Sequence, residues 1–443
     1  MTDLAAETPS HGSQATVTPE QAVRRLPWAL GAIALNSVFA YTIFAGPVLI
    51  LLLAELGLSK TQVGLILACF PLTGVVAPLV GPAVARLGYK RIFLICWAAR
   101  KTVAATLLLT PVVLARSGAE AAAVYAMVVF AVFALMRAIA DTAYYPWTQD
   151  FVPNRIRGRY TALDNLLWTG FGFLTLSVVS IVVRRHPGLD GFMRCMAVGV
   201  PFGFASVACM FFIPGGAPQR TAPTLGPDLR GARATLRDAN YVRFLTGLGL
   251  MGLALLPAAG FLPLFAKEVI GLSESNVVLL QNATLLGSLL SSYFWGWAAD
   301  RVGSKPIMLA GVVASGLMPL LWLALPVHHA WSGAAALALA LLAGLTTPAW
   351  AIGSGRLLFI ELMPAGKQGT YTAVYYAWAG LTGAAGGLLS GRLLDVVQGL
   401  RGSALLAGAG GYALLFAAAA LLAFVSLFSL SRVQVQRPQV GGM

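Results

Sequence analysis

Six ionisable side chains stand inside long apolar runs of this 443-residue chain: Arg100, Lys101, Arg137, Asp141, Asp164 and Arg356. Asp150 and Glu361 stand at the ends of such runs. If the runs cross a bilayer, each buried charge is costly and is expected to have a partner or a task. Arg137 and Asp141 lie four apart on one helix face, which Tyr144, Tyr145 and Thr148 continue. At ~1.5 Å per residue, Asp141 stands roughly 14 Å from Asp150, and Arg100 roughly 14 Å from Arg91, so the two reach equal depth on neighbouring runs. That spacing fits a structural ion pair; it also fits Asp141 as a proton-coupling carboxylate that titrates as a solute enters or leaves. Cations exceed carboxylates here, and a guanidinium in a dry cavity meets a carboxylate or phosphate with paired hydrogen bonds. An anionic group on the solute is the expectation.

Neutral candidates surround these charges. Asn36 stands in the first apolar run, Asp164, Asn165, Trp168 and Thr175 share the fifth, and Gln281, Asn282, Thr284, Ser288, Ser291 and Ser292 fall along the eighth. Trp350, Tyr375, Tyr376 and Trp378 offer flat amphipathic surface to a bound solute, or else fill the interior between helices. Ser and Thr in membrane helices often bond only their own backbone. Glycines recur at 383, 387 and 391 and crowd 247 to 252, which suits close helix approach and bending. No Walker-type loop, nucleophile motif or metal-ligand spacing stands out, and Cys69, Cys96, Cys195 and Cys209 sit singly in apolar runs. The expectation is therefore a protein that is not an enzyme, with no cofactor and no bound metal.

The elements that must position these groups follow from composition. With 58% hydrophobic residues and only 10% charged, the chain has too few charges to cover a globular surface, since soluble proteins carry about 25%. Its mean hydropathy of +0.79 places it in a bilayer. The apolar runs are continuous rather than alternating, which excludes a β-barrel. Twelve runs can be placed near 27–53, 61–85, 91–115, 120–149, 159–183, 192–214, 240–266, 275–299, 306–327, 332–362, 370–397 and 403–430. A Pro-, Gly- and Arg-rich stretch at 215–239 separates the first six (27–214) from the last six (240–430), leaving tails at 1–26 and 431–443. The polar start carries no cleavable signal, so the tail is expected to stay and the first run to act as a signal anchor.

Basic residues fix the expected orientation. Eighteen of the 30 Lys and Arg fall on segments that share a side with both termini, against eight opposite, which puts both termini in the cytoplasm. The formal net charge of +14 is explained by this bias and by anionic lipid head groups, so no nucleic acid is expected as a partner.

The chain also repeats itself. Gly81-Pro-Ala-Val-Ala85-Arg86-Leu-Gly88-Tyr-Lys90 follows the second run, and Gly296-Trp-Ala-Ala-Asp300-Arg301-Val-Gly303-Ser-Lys305 follows the eighth. Asp150-Phe-Val-Pro153 through Arg157-Gly158 follows the fourth, and Glu361-Leu-Met-Pro364 through Gly369 follows the tenth. Their offsets, 215 and 211, nearly agree. By the second offset Tyr145 answers Arg356, while Asp164 and Asn165 answer Tyr375 and Tyr376.

In these loops the chain resembles the major facilitator superfamily of secondary transporters. The resemblance covers roughly 27 to 430 and implies an all-α membrane protein of twelve helices in two six-helix bundles. It implies that spans one, two, four and five, with seven, eight, ten and eleven, line a central cavity while three, six, nine and twelve stay outside. It assigns gating or loop-motif roles to Gly81, Arg86, Gly88, Lys90, Asp150, Arg157, Gly296, Asp300, Arg301, Gly303, Lys305 and Glu361. One departure is Ala85, where the family places the acid that Asp300 keeps. The run from Leu163 to Val183 lacks the Gly-Pro motif of drug antiporters, and the ends of spans six and twelve lack the acidic motifs of sugar porters. The expected function is proton-coupled movement of a small solute across the plasma (bacterial inner) membrane by alternating access, as a monomer among membrane lipids. A lipid flippase or drug exporter of the same fold, or a non-transporting sensor, are the alternatives.

Overall fold

The computed structural model describes residues 19–218, 229–364, 367–399 and 410–435. The start of the expected N-terminal tail, the middle of the expected linker (219–228), the first part of the twelfth run (403–409) and the tail from 436 lie outside the described residues.

The first run forms α1 (Pro19–Ile43) and α2 (Pro47–Glu55), broken where Gly46 takes φ 92°. The second forms α3 (Lys60–Cys69) and α4 (Thr73–Leu87). A capping box opens α3, with the Ser59 side chain on the Gln62 amide and the Gln62 side chain returning the bond. Two of the repeated loop glycines end helices in the same way: Gly88 (φ 95°) stops α4 and Gly303 (φ 99°) stops α11 (Glu274–Val302). A side chain at either position would strain the left-handed backbone, which explains glycine there.

Between them α5 (Tyr89–Thr106) leads by one 3-10 turn into α6 (Thr110–Phe151). A straight helix over those 63 residues would be about 95 Å long, three times the hydrocarbon thickness of a bilayer. The chain instead breaks at Gly118, φ 82° and ψ 177°, between the two expected runs, and α5 packs along α6. The Tyr125 hydroxyl ties the pair by donating to the Thr106 carbonyl at 2.6 Å. The remaining helices are α7 (Arg157–Arg185), α8 (Leu189–Phe211), the short α9 (Leu229–Thr235), α10 (Ala239–Glu268), α12 (Ser304–Leu323), α13 (Ser332–Arg356), α14 (Gln368–Gly399) and α15 (Gly410–Ser431). A π-helical turn, Leu357–Leu362, follows α13.

Helix therefore lies over each of the twelve expected runs. Among the described residues nine helices are long and apolar enough to cross a membrane, or ten with the bent pair Lys60–Val76 and Leu79–Leu87. The 63-residue element folded at Gly118 counts once among the nine, and the glycine-rich α14 is not one of them.

Packing differs between the two ends of the bundle. The largest apolar cluster draws Leu49 to Leu53 and Phe130 from the first half together with Phe261, Phe265 and Phe416 from the second. It lies toward the end that carries the turns near 57, 187 and 271, the distal end. At the other, proximal end the cores are separate. Trp147, Phe93 and Ile213 pack within the first half, and Tyr241, Tyr371 and Leu430 within the second.

Hydrogen bonds follow the same division. At the distal end Lys60 pairs with Glu268, and Lys267 meets Glu55 at 2.5 Å and Glu274 at 2.7 Å. Asp395 accepts the amides of Lys60 and Thr61, and Glu274 accepts that of Gly188, so helix starts of one half are capped by carboxylates of the other. At the proximal end Lys90 donates to the Phe211 carbonyl at 2.9 Å, and Lys305 donates to those of Ser431 and Val433 at 2.7 and 2.8 Å. Each loop-motif lysine thus satisfies the open carbonyls at the last helix of its own half.

Candidate functional site

A cavity of about 240 Å³ opens among α1, α5, α6, α7 and α8, all in the first half. A pair of buried cations stands beside it, of which Arg100 reaches the lining. Arg100 is 2% exposed and Lys101 0%, and both donate to the same Asn36 side-chain oxygen, at 3.1 and 2.5 Å. The Arg100 guanidinium lies 3.9 Å from the Trp97 ring centre, and the Lys101 ammonium 3.5 Å from that of Phe39. Ring faces and one amide oxygen offset only part of the cost of removing two cations from water. Among the described residues neither cation has a carboxylate within 4.0 Å, and the buried Arg100 Nε has no hydrogen-bond partner.

Arg137 and Asp141 line the same cavity and pair with one another at 3.3 Å, one helical turn apart, each about one-third exposed. The sequence put Arg100 and Asp141 at one depth, and both do line this cavity, yet their hydrogen-bond and ion-pair partners differ. Asp141 meets the arginine one turn back on its own helix, while Arg100 is met first by Asn36 from α1. The Arg137 guanidinium lies 5.4 Å from the Phe44 ring centre and that of Arg100 lies 5.8 Å from it, so one phenyl ring neighbours both. Tyr145, Asp164 and Trp168 complete the wall, and the Ser37 hydroxyl on the Trp168 carbonyl at 2.7 Å fixes α7 against α1.

Of the residues singled out from sequence, the structure therefore gathers Asn36, Arg137, Asp141, Tyr145, Asp164 and Trp168 around one cavity. The cavity lies inside the first half rather than between the halves, so α5 and α8 also supply Phe93, Trp97, Arg100 and Met210 to its lining.

A second cavity of about 180 Å³ lies inside the second half, where α10, α11, α12, α13 and α15 meet. Gln281 and Thr284 line it with Trp322, Thr346 and Thr347, and among the described residues no ionisable side chain does. Asn282 turns away from it and pairs with Ser177 of α7 at 2.9 Å. Thr284 and Ser288 bond carbonyls of α13 as well as, for Thr284, its own helix.

The other candidates fall elsewhere. Trp378 donates to the Leu245 carbonyl at 2.7 Å, Tyr375 and Tyr376 pack edge to face at 5.0 Å, and Trp350 packs on the second-half core. Arg356 forms an ion pair of 2.7 Å with Asp300. Asp150 accepts the Gly216 amide at 2.9 Å, Arg157 reaches the Val152 carbonyl, and Arg301 lies over Trp297 at 4.8 Å. Arg86 is exposed, Gly81 and Gly296 have open space where a Cβ would stand, and Glu361 sits in the π-helical turn with one buried oxygen unpartnered.

Comparison with known proteins agrees with this architecture. The Major Facilitator Superfamily model matches residues 30–286. A probable nitrate/nitrite transporter, NarK2 of Mycobacterium tuberculosis, is 23% identical over 356 residues, 78% of this chain and 82% of that one. Among solved structures, a mutant form of the nucleoside transporter NupG superposes with a TM-score of 0.68 at 15% identity, covering 93% of this chain and 99% of its own. An auto-inhibited POT family peptide transporter gives 0.67 at 14% identity, with 95% and 99% covered. A bacterial homologue of the lysosomal transporter Spinster, inward-facing and occupied, gives 0.65 at 13%, with 95% and 97% covered. With more than half its length matched by the family model, the chain belongs to the Major Facilitator Superfamily and is a membrane transporter.

Proposed function

We propose that this protein is a secondary transporter that moves a small solute bearing an anionic group across the plasma (bacterial inner) membrane by alternating access, coupled to protons through Asp141. In this reading the chain crosses the bilayer twelve times as two six-helix bundles, 27–214 and 240–430, with both termini in the cytoplasm.

The observation that carries the anionic assignment is the Arg100, Lys101 and Asn36 cluster. Two buried cations share one neutral acceptor beside a cavity that also holds Arg137, so an incoming oxyanion supplies the countercharge the fold omits. The similarity to a probable nitrate/nitrite transporter is in keeping with an anion. Alternating access is supported by the packing: the halves are joined at the distal end by apolar and ionic contacts, while their proximal cores are separate. With the termini in the cytoplasm, this is a state closed to the outside.

The direct test is a thermal-shift screen of the detergent-purified chain against acids and matched neutral solutes at two pH values. A ligand that binds only the folded state raises its apparent stability by mass action. Stabilisation by acids, lost in Arg137→Gln, is expected; stabilisation by neutral solutes alone removes the anionic reading.

A further inference from the structure

We propose that the solute of the first-half cavity is a flat aromatic carboxylic acid carrying a second, hydrogen-bond-donating group, rather than a compact inorganic oxyanion. This rests on the anionic reading above and narrows it.

Size argues first. A water occupies about 30 Å³ of liquid, so a four-atom oxyanion takes on the order of 60 Å³. The cavity holds about 240 Å³. A compact ion would leave most of it for water, and the two buried cations would keep much of their desolvation cost.

The wall argues second. Phe93 lies 4.5 Å from Trp97 and 5.5 Å from Tyr144, which lies 6.0 Å from Tyr145, so a series of ring contacts makes one side of the cavity aromatic, with Phe93 fully buried and Tyr145 the open ring. Trp97 carries the Arg100 guanidinium on its own face. A planar acid stacked along this surface presents its carboxylate to Arg100, whose buried Nε has no partner.

Polarity at a separate point argues third. Asp164 lines the same cavity and, among the described residues, pairs with no cation. An unpaired carboxylate that shares a cavity with two cations, Arg100 and Arg137, suits a donor on the solute, such as an amine or hydroxyl away from its acid group.

The test uses the full chain in detergent, read by tryptophan quenching and thermal shift, with five probes: nitrate, cyclohexanecarboxylate, benzoate, 4-aminobenzoate and benzyl alcohol. Benzoate is expected to bind at least tenfold tighter than nitrate or cyclohexanecarboxylate, and 4-aminobenzoate tighter again. Asp164→Asn should erase the advantage of 4-aminobenzoate over benzoate, and Tyr145→Leu, at an exposed ring, should weaken both while leaving nitrate unchanged. Nitrate binding as tightly as benzoate overturns the aromatic assignment and leaves the anionic reading standing. Benzyl alcohol binding as tightly as benzoate overturns both, and no binding by any probe overturns the assignment as well.

Discussion

Asp300 and Arg356 form an ion pair of 2.7 Å between α11 and α13, and both members are missing at the positions that answer them in the first half. Ala85 stands where the repeat places Asp300, and Tyr145 where it places Arg356. Both members of the pair are thus replaced together in the first half. Ala85 is buried, while Tyr145 is 67% exposed and lines the cavity. The second half keeps a tether where the first half has an aromatic wall.

That tether is exposed, with side chains 36% and 64% accessible, so its contribution to stability is small. Asp300→Asn should cost less than about 1 kcal/mol, read as a shift of a few degrees at most in thermal unfolding. A larger loss would mean that the pair holds the bundle rather than tunes it.

Lys305 has a different task, since it satisfies two carbonyls where α15 ends. Lys305→Met should cost about 1 kcal/mol and speed amide exchange over residues 429–433, with little change near Phe211. Lys90→Met should do the converse, since Lys90 holds the Phe211 carbonyl. Exchange that rises at both helix ends in either variant would contradict a separate cap for each half.

The distal clasp is reciprocal, because Lys60 of the first half meets Glu268 of the second while Lys267 of the second meets Glu55 of the first. Lys60→Gln combined with Lys267→Gln should shift the population toward distal opening. A cysteine placed at Ser180, which is buried against Ser275, should then react with a polar thiol reagent several-fold faster once the native cysteines are replaced. An unchanged rate would assign closure to the apolar cluster alone.

Close helix approach gives a sharper test of packing. A Cβ at Gly387 would stand 3.0 Å from the Gly64 carbonyl oxygen, and one at Gly249 would stand 2.7 Å from Trp378 Nε1. Gly387→Leu should separate α3 from α14 and cost about 1–3 kcal/mol. Gly81→Ala, at open space, should cost well under 1 kcal/mol by the same measure.

The helical runs were legible because continuous apolarity and turn glycines are local signals; Gly118 reverses the chain in the gap between two runs read from hydropathy alone. The Arg137 and Asp141 pair was legible because residues four apart on a helix share a face. The core of the candidate site was not. Arg100 is claimed by Asn36, 64 positions earlier, and by Trp97 on its own helix, and only the lateral order of the helices decides that α5 turns this face to α1. Arg356 looked like a cavity cation, and its partner Asp300 belongs to a loop motif to which the family resemblance gave a gating role.

Uptake into proteoliposomes most directly tests the proposed proton-coupled movement of an acid through the first-half cavity. With an imposed inward proton gradient, labelled benzoate should accumulate above equilibrium in vesicles carrying the native chain. In vesicles with Asp141→Asn it should exchange across the membrane without accumulating. Accumulation by Asp141→Asn equal to that of the native chain would contradict the coupling role, and no uptake by the native chain above protein-free vesicles would contradict the account as a whole.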